Sequence, residues 1–158
     1  MKHQLFKARN AITGFLDHKI ITRLSRHRKR VRESVKEHLN SVKDTDRGKV
    51  IRLTERGNLP IYYSDYEAFL EKAVKRAIDY AEVSNGNPHM RNVIVEGIKS
   101  IHNKKFMQFT PEIQRTMRLQ VYSNFMELFG EVKTGKLMNS FSSFFGLYLD
   151  ECAKLQGH

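Results

Sequence analysis

Ser64-Asp65-Tyr66-Glu67-Ala68-Phe69-Leu70-Glu71-Lys72-Ala73-Val74-Lys75-Arg76-Ala77-Ile78-Asp79-Tyr80-Ala81 is the stretch on which the fold turns. Ser64, followed three residues later by Glu67, has the spacing of a capping box, in which each side chain satisfies an amide left open at a helix start. Behind it Phe69/Leu70, Ala73/Val74, Ala77/Ile78 and Ala81 recur every three or four residues, while Glu71, Lys72, Lys75, Arg76 and Asp79 fall mainly on the opposite face. This period predicts an amphipathic helix running to about Val83 with one buried stripe.

The same grammar repeats downstream. Asn85-Gly86-Asn87-Pro88 is a strong turn, after which Met90, Val93/Ile94, Ile98 and Ile101 predict a helix over 89–103. Thr110-Pro111 offers an N-cap followed by a proline at the first helical position, where its missing amide hydrogen is not needed. That helix should continue to Phe129 and stop at Gly130. It carries Ile113, Met117, Val121 and Phe125 on one row and Leu119, Tyr122, Met126 and Phe129 on another, which predicts a central place in the core. Leu137/Met138, Phe141, Phe144/Phe145, Tyr148/Leu149 and Cys152 predict a last helix over 137–153, and four helices on short connections predict a bundle-like body.

Upstream, a short helix over 4–12 is expected to end at Thr13-Gly14, and Asp17 can cap a long helix over 18–42. The seam of this long helix, Ile20, Leu24, Val31, Val35 and Val42, is narrow, and His27 and Arg28 interrupt it. Residues 49–64 read either as two short β runs around Glu55-Arg56-Gly57-Asn58 or as an extended linker, and Pro60 admits a strand only at a sheet edge. The fold class expected is therefore mainly α. A basic N-terminal helical arm and linker over 1–57 precede a four-helix bundle-like body over 58–158, expected to fold alone from about Ser64.

Charge separates the two parts. The chain of 158 residues carries a net +11, and residues 1–57 hold 16 Lys and Arg against 6 Asp and Glu, whereas residues 58–158 hold 12 against 11. Such an imbalance is the mark of a polyanion-binding segment joined to a neutral folding unit. On an ideal helix Lys19, Arg23, Arg26 and Arg30 form one row, Lys29, Arg32 and Lys36 a second, and Arg28 sits between them on the apolar side. Residues 16–32 contain seven Lys and Arg and a single acid, Asp17, so intrahelical pairing cannot neutralise them. A charged face held only for solubility is the ordinary explanation of such a run, but the near-absence of acids favours an external polyanion. The guanidinium fork matches phosphate, and the seam is too narrow for a helix lying on a membrane. Nucleic acid is the expected partner, with DNA and RNA undecided because nothing marks base-reading side chains.

Other chemistries find little support. A lone cysteine, Cys152, excludes an internal disulfide framework or cysteine-based zinc site and fits a reducing, intracellular setting; it reads as a small core residue. The N-terminus lacks a signal-peptide pattern, and no run approaches the ~20 apolar residues of a membrane helix. Gly130-Glu131-Val132-Lys133-Thr134-Gly135-Lys136-Leu137 nearly spells a phosphate loop, but Leu137 stands where a hydroxyl must hold magnesium. The histidines lack metal-site spacing, His89 and His102 reading as exposed or capping residues, and Asp65, Glu67 and Glu71 sit where a helix dipole favours acids. No catalytic set and no cofactor are expected. Tyr62, Tyr63 and Tyr66 are weak candidates for base stacking. The expectation is a non-enzymatic regulatory or accessory nucleic-acid-binding protein. Its rivals are a self-assembling coat-like nucleoprotein subunit and an inhibitor or adaptor docking on an acidic protein; the phenylalanine-rich last helix reads most simply as core, and as a homo-oligomer interface if the bundle leaves part of it exposed.

Overall fold

The computed structural model describes residues 26–42, 50–53, 59–84 and 86–155. The helix expected over 4–12 and the start of the long helix lie outside them. Helix α1 covers 26–41; β1 (Val50–Leu53) and β2 (Leu59–Tyr62) follow, then α2 (Tyr63–Ala81), α3 (Pro88–Ser100), the short α4 (Lys104–Gln108), α5 (Pro111–Phe129) and α6 (Glu131–Leu155). The protein is mainly α, with a helical bundle-like body.

The two β runs pair as an antiparallel hairpin, with Val50 opposite Tyr62 and Leu53 opposite Leu59. In a sheet of two strands both are edges, so Pro60 is tolerated there. The hairpin also corrects the reading of Ser64. Strand β2 runs straight into α2, whose N-cap is Tyr62 in extended conformation with no side-chain cap hydrogen bond. Because pairing holds the chain up to Tyr62, the helix begins on the next residue and Ser64 falls inside the first turn.

The other starts follow the sequence. Asn87 accepts from the amides of His89 and Met90 at the head of α3, and Thr110 accepts from Ile113 at the head of α5. Helix α4 was not anticipated; Asn103 accepts from the Phe106 amide at 2.7 Å, and the Phe106 ring is buried. The last helix begins directly after Gly130 (φ +86°), well before Leu137. A glycine inside a helix costs about 1 kcal/mol. Burial of Leu137, fully inaccessible, offsets that cost at Gly135.

The centre of the body is the α2–α6 pair. Phe69 and Tyr148 stack across it at 5.7 Å, and Ala73, Ala77, Ile78, Phe141, Phe145 and Cys152 fill the same core. Helix α5 is not central as expected. It buries only Phe125, whose ring fits over Gly97 of α3 so closely that a Cβ there would lie 2.7 Å away, and Leu119 remains 64 % exposed. Phe125, Val121 and Phe129 attach it, while Ile113 of the first row and Leu119, Tyr122 and Met126 of the second stay exposed.

Helix α1 belongs to this core. Val31 and Val35 are completely buried in the cluster that holds Phe69 and Tyr148, with Leu39 packed beside it. The division expected at residue 57 is therefore no break in the packing among the described residues. Val31→Ala combined with Val35→Ala should lower the unfolding free energy by about 3 kcal/mol, because methyl groups are lost and a cavity remains. Denaturant melts measure this, and an unchanged midpoint would mean that α1 is an independent arm.

Candidate nucleic-acid interface

Burying Val31 and Val35 fixes the roll of α1 about its axis. At 3.6 residues per turn, Arg26, Lys29, Arg30 and Lys36 then point away from the core, and all four are exposed. Glu33 and Glu37 share this outward side, so the helix over 26–41 carries six Lys and Arg against two Glu. Lys19 and Arg23, expected to extend the first row, lie outside the described residues.

Arg28 and Arg32 are placed differently. They flank α6, where the Glu151 side chain is 1 % exposed. Arg32 Nε donates to Glu151 Oε2 at 3.0 Å, while Arg28 Nε lies 3.9 Å and Lys154 Nζ 3.6 Å from Oε1. Burial pushes the Glu151 carboxyl up, but the Arg32 hydrogen bond and the charges of Lys154 and Arg32 outweigh it and hold the group below its usual range. It is an ionised acid inside the protein, neutralised by cations that keep about half of their own side-chain surface in water.

The opposite flank of α1 meets α2. Lys72 Nζ donates to Ser34 Oγ at 3.1 Å and Arg76 Nη2 to His27 Nδ1 at 2.8 Å. The Arg76 guanidinium also lies over the Phe144 ring, 5.5 Å from its centroid, and His27 meets that ring edge-on. Further along, His38 Nε2 donates at 2.7 Å to Asp65 Oδ1, whose carboxylate is wholly buried. The three contacts join positions 27, 34 and 38 to 76, 72 and 65, so the two helices run antiparallel. The sequence puts Lys72 and Arg76 on the polar face of α2, opposite its apolar stripe. Their i, i+4 spacing was visible, but their contact with α1 was not.

The tyrosines expected as stacking candidates are engaged. Tyr63 stacks on Tyr66, carries Lys104 Nζ 4.3 Å above its ring, and accepts the Lys104 amide at its hydroxyl; Tyr66 is buried against Phe145. The acids expected as a bunch are dispersed: Asp65 pairs with His38, and Glu71 with Lys75 and Lys99. Gly135 and Lys136 lie within α6, so the near-miss phosphate sequence forms a helix in place of a loop, and Lys136 Nζ sits over the Tyr80 ring. Among the described residues no group of three or more His, Cys, Asp or Glu could hold a metal ion, and no helix is long and apolar enough to cross a membrane. Cys152 is buried in the core.

His102 departs from the exposed or capping role expected of it. It packs edge-on to Phe141 and Phe145 beside the Tyr66 hydroxyl, and burial, helped by the nearby Arg118 charge, pushes its pKa down to about 4. Between that value and the ordinary 6.5 the unfolded chain takes up a proton that the folded chain refuses. Stability should therefore fall as pH drops from about 6.5 to 4, by on the order of 3 kcal/mol from this group. His102→Gln should flatten that part of the stability curve in melts across the window, and an unaltered slope would contradict the assignment.

No known family, no curated protein and no solved structure gives a match to this chain.

Proposed function

We propose that the chain is a non-enzymatic nucleic-acid-binding protein that contacts phosphates through the outward side of α1. The observation carrying this reading is that Arg26, Lys29, Arg30 and Lys36 are exposed on a helix whose other sides are fastened to the core and to α2 and α6. A fixed helix needs no ordering when it binds, so less of the attraction is lost to entropy. From Arg26 to Lys36 it extends about 15 Å at 1.5 Å per residue, which reaches several successive phosphates. Phosphate contacts carry little base information, which suits a partner chosen by charge and shape.

A second reading, a nucleoprotein subunit that also self-associates, draws on α5. Its second apolar row leaves Leu119 64 %, Met126 39 % and Tyr122 37 % exposed, and α6 adds Val132 at 84 %. Contiguous apolar surface of this kind is characteristic of contact faces, and tyrosine and methionine are enriched in them.

Binding of the full chain to duplex, single-stranded DNA and RNA across a salt series, with particle size recorded, tests both. Changing Arg26, Lys29 and Arg30 together to Glu should flatten the logarithmic salt dependence by roughly three units on duplex, near 0.9 per lost phosphate contact, and weaken binding to every sequence. An unchanged slope contradicts the α1 assignment. Particles that grow in proportion to polymer length favour the coat-like subunit, and tighter binding to an acidic protein than to nucleic acid at equal salt favours an adaptor.

A further inference from the structure

Resting on that reading, we propose that Lys72 and Arg76 of α2 belong to the same binding surface, so that phosphates run along the seam between α1 and α2, while Arg28 and Arg32 serve to fasten α1 to α6.

The two flanks of α1 differ in what their cations face. On the α6 side Arg28, Arg32 and Lys154 converge on the buried Glu151, within 3.0–3.9 Å. A phosphate arriving there would compete with an acid already seated and would leave that acid's charge buried without its partners. On the α2 side the acceptors are neutral. Lys72 donates to a hydroxyl and Arg76 to an imidazole nitrogen, so among the described residues neither cation is paired with an acid.

The acids of α2 do not reverse this. Glu71 is taken by Lys75 at 3.4 Å and by Lys99 of α3 at 3.9 Å, and Asp79 by Arg91 of α3 at 2.9 Å. They are engaged by cations on the far side of the helix, leaving Lys72 and Arg76 toward α1. Because α1 and α2 run antiparallel, Arg30 lies alongside the stretch between His27 and Ser34 that these two cations touch. Arg26 and Arg30 on α1 and Lys72 and Arg76 on α2 thus border the end of the α1–α2 seam nearest Arg26 with cations, while Glu33 and Glu37 mark its other end. Both α2 cations are positioned beforehand, Arg76 by Phe144 and His27 and Lys72 by Ser34, which lowers the ordering cost of receiving a phosphate. The Arg76 fork donates one arm to His27, and a guanidinium has further donors with which to meet an anion.

Salt-series binding of the full chain to a labelled duplex separates the two flanks. Lys72→Gln with Arg76→Gln should flatten the logarithmic salt dependence by about two units, and Lys72→Gln alone, which leaves the Arg76 packing intact, by about one. Arg28→Gln with Arg32→Gln should lower the melting temperature and leave the salt slope in place. If the α2 variants keep the wild-type slope while the triple variant in α1 loses it, the inference fails and the proposed function stands. If the Arg28 and Arg32 variant flattens the slope as much as the α2 variants do, the division of roles between the flanks is wrong. If no variant in either helix alters the slope, the nucleic-acid reading falls and this inference with it.

Discussion

Glu151 sits almost wholly out of water, and a carboxylate in that position costs several kcal/mol unless cations and hydrogen bonds answer it. Arg32 supplies the hydrogen bond from α1, Lys154 adds charge from α6 itself, and Arg28 lies 3.9 Å away. The pairing does more than offset its own desolvation. It sets how α1 is rolled against the body, together with Val31 and Val35 below it, His38 on Asp65 and Lys72 on Ser34. Once the roll is fixed, Arg26, Lys29, Arg30 and Lys36 can only face outward. The cations of residues 26–41 that look like part of a loose arm in the sequence are thereby held on a docked helix.

Rigidity of this kind has a physical consequence for association. A flexible basic tail loses conformational entropy on meeting a polyanion, whereas a docked helix has lost it during folding. Under the proposed function, the stability of the α2–α6 core and the strength of phosphate binding are linked through the same contacts. Helix α5 stands apart from this arrangement. It packs on α6 and α3, with Phe125 over Gly97 and Val121 and Phe129 against the core, and leaves Leu119, Tyr122 and Met126 exposed.

Local signals made much of the fold legible. Asn87, Thr110 and Gly130 mark the ends of α3 and α5 because cap residues act on neighbouring amides and carbonyls, and the apolar stripes of α2 and α6 reappear in the core. What escaped were decisions made by distant residues. Ser64 has the spacing of a cap, yet strand pairing with residues 50–53 moves the helix start ahead of it. Apolar rows on α5 give its composition but not which row is covered. The sign of the N-terminal charge was readable, whereas the partner of Arg32 lies 119 residues away in sequence and cannot be inferred from spacing. The same holds for Lys72 and Arg76, whose neighbours on α1 exist only after docking.

The central claim is that α1 is at once part of the core and the face that meets phosphate. Nuclear magnetic resonance of the nitrogen-labelled full chain, titrated with a short duplex and a single-stranded oligonucleotide, tests it most directly. The account predicts that the amides of Arg26, Lys29, Arg30 and Lys36 shift on binding, along with the side-chain signal of Arg76, while those of Leu119 and Tyr122 stay in place. Shifts confined to α5, or none on α1 at saturating oligonucleotide, would contradict it.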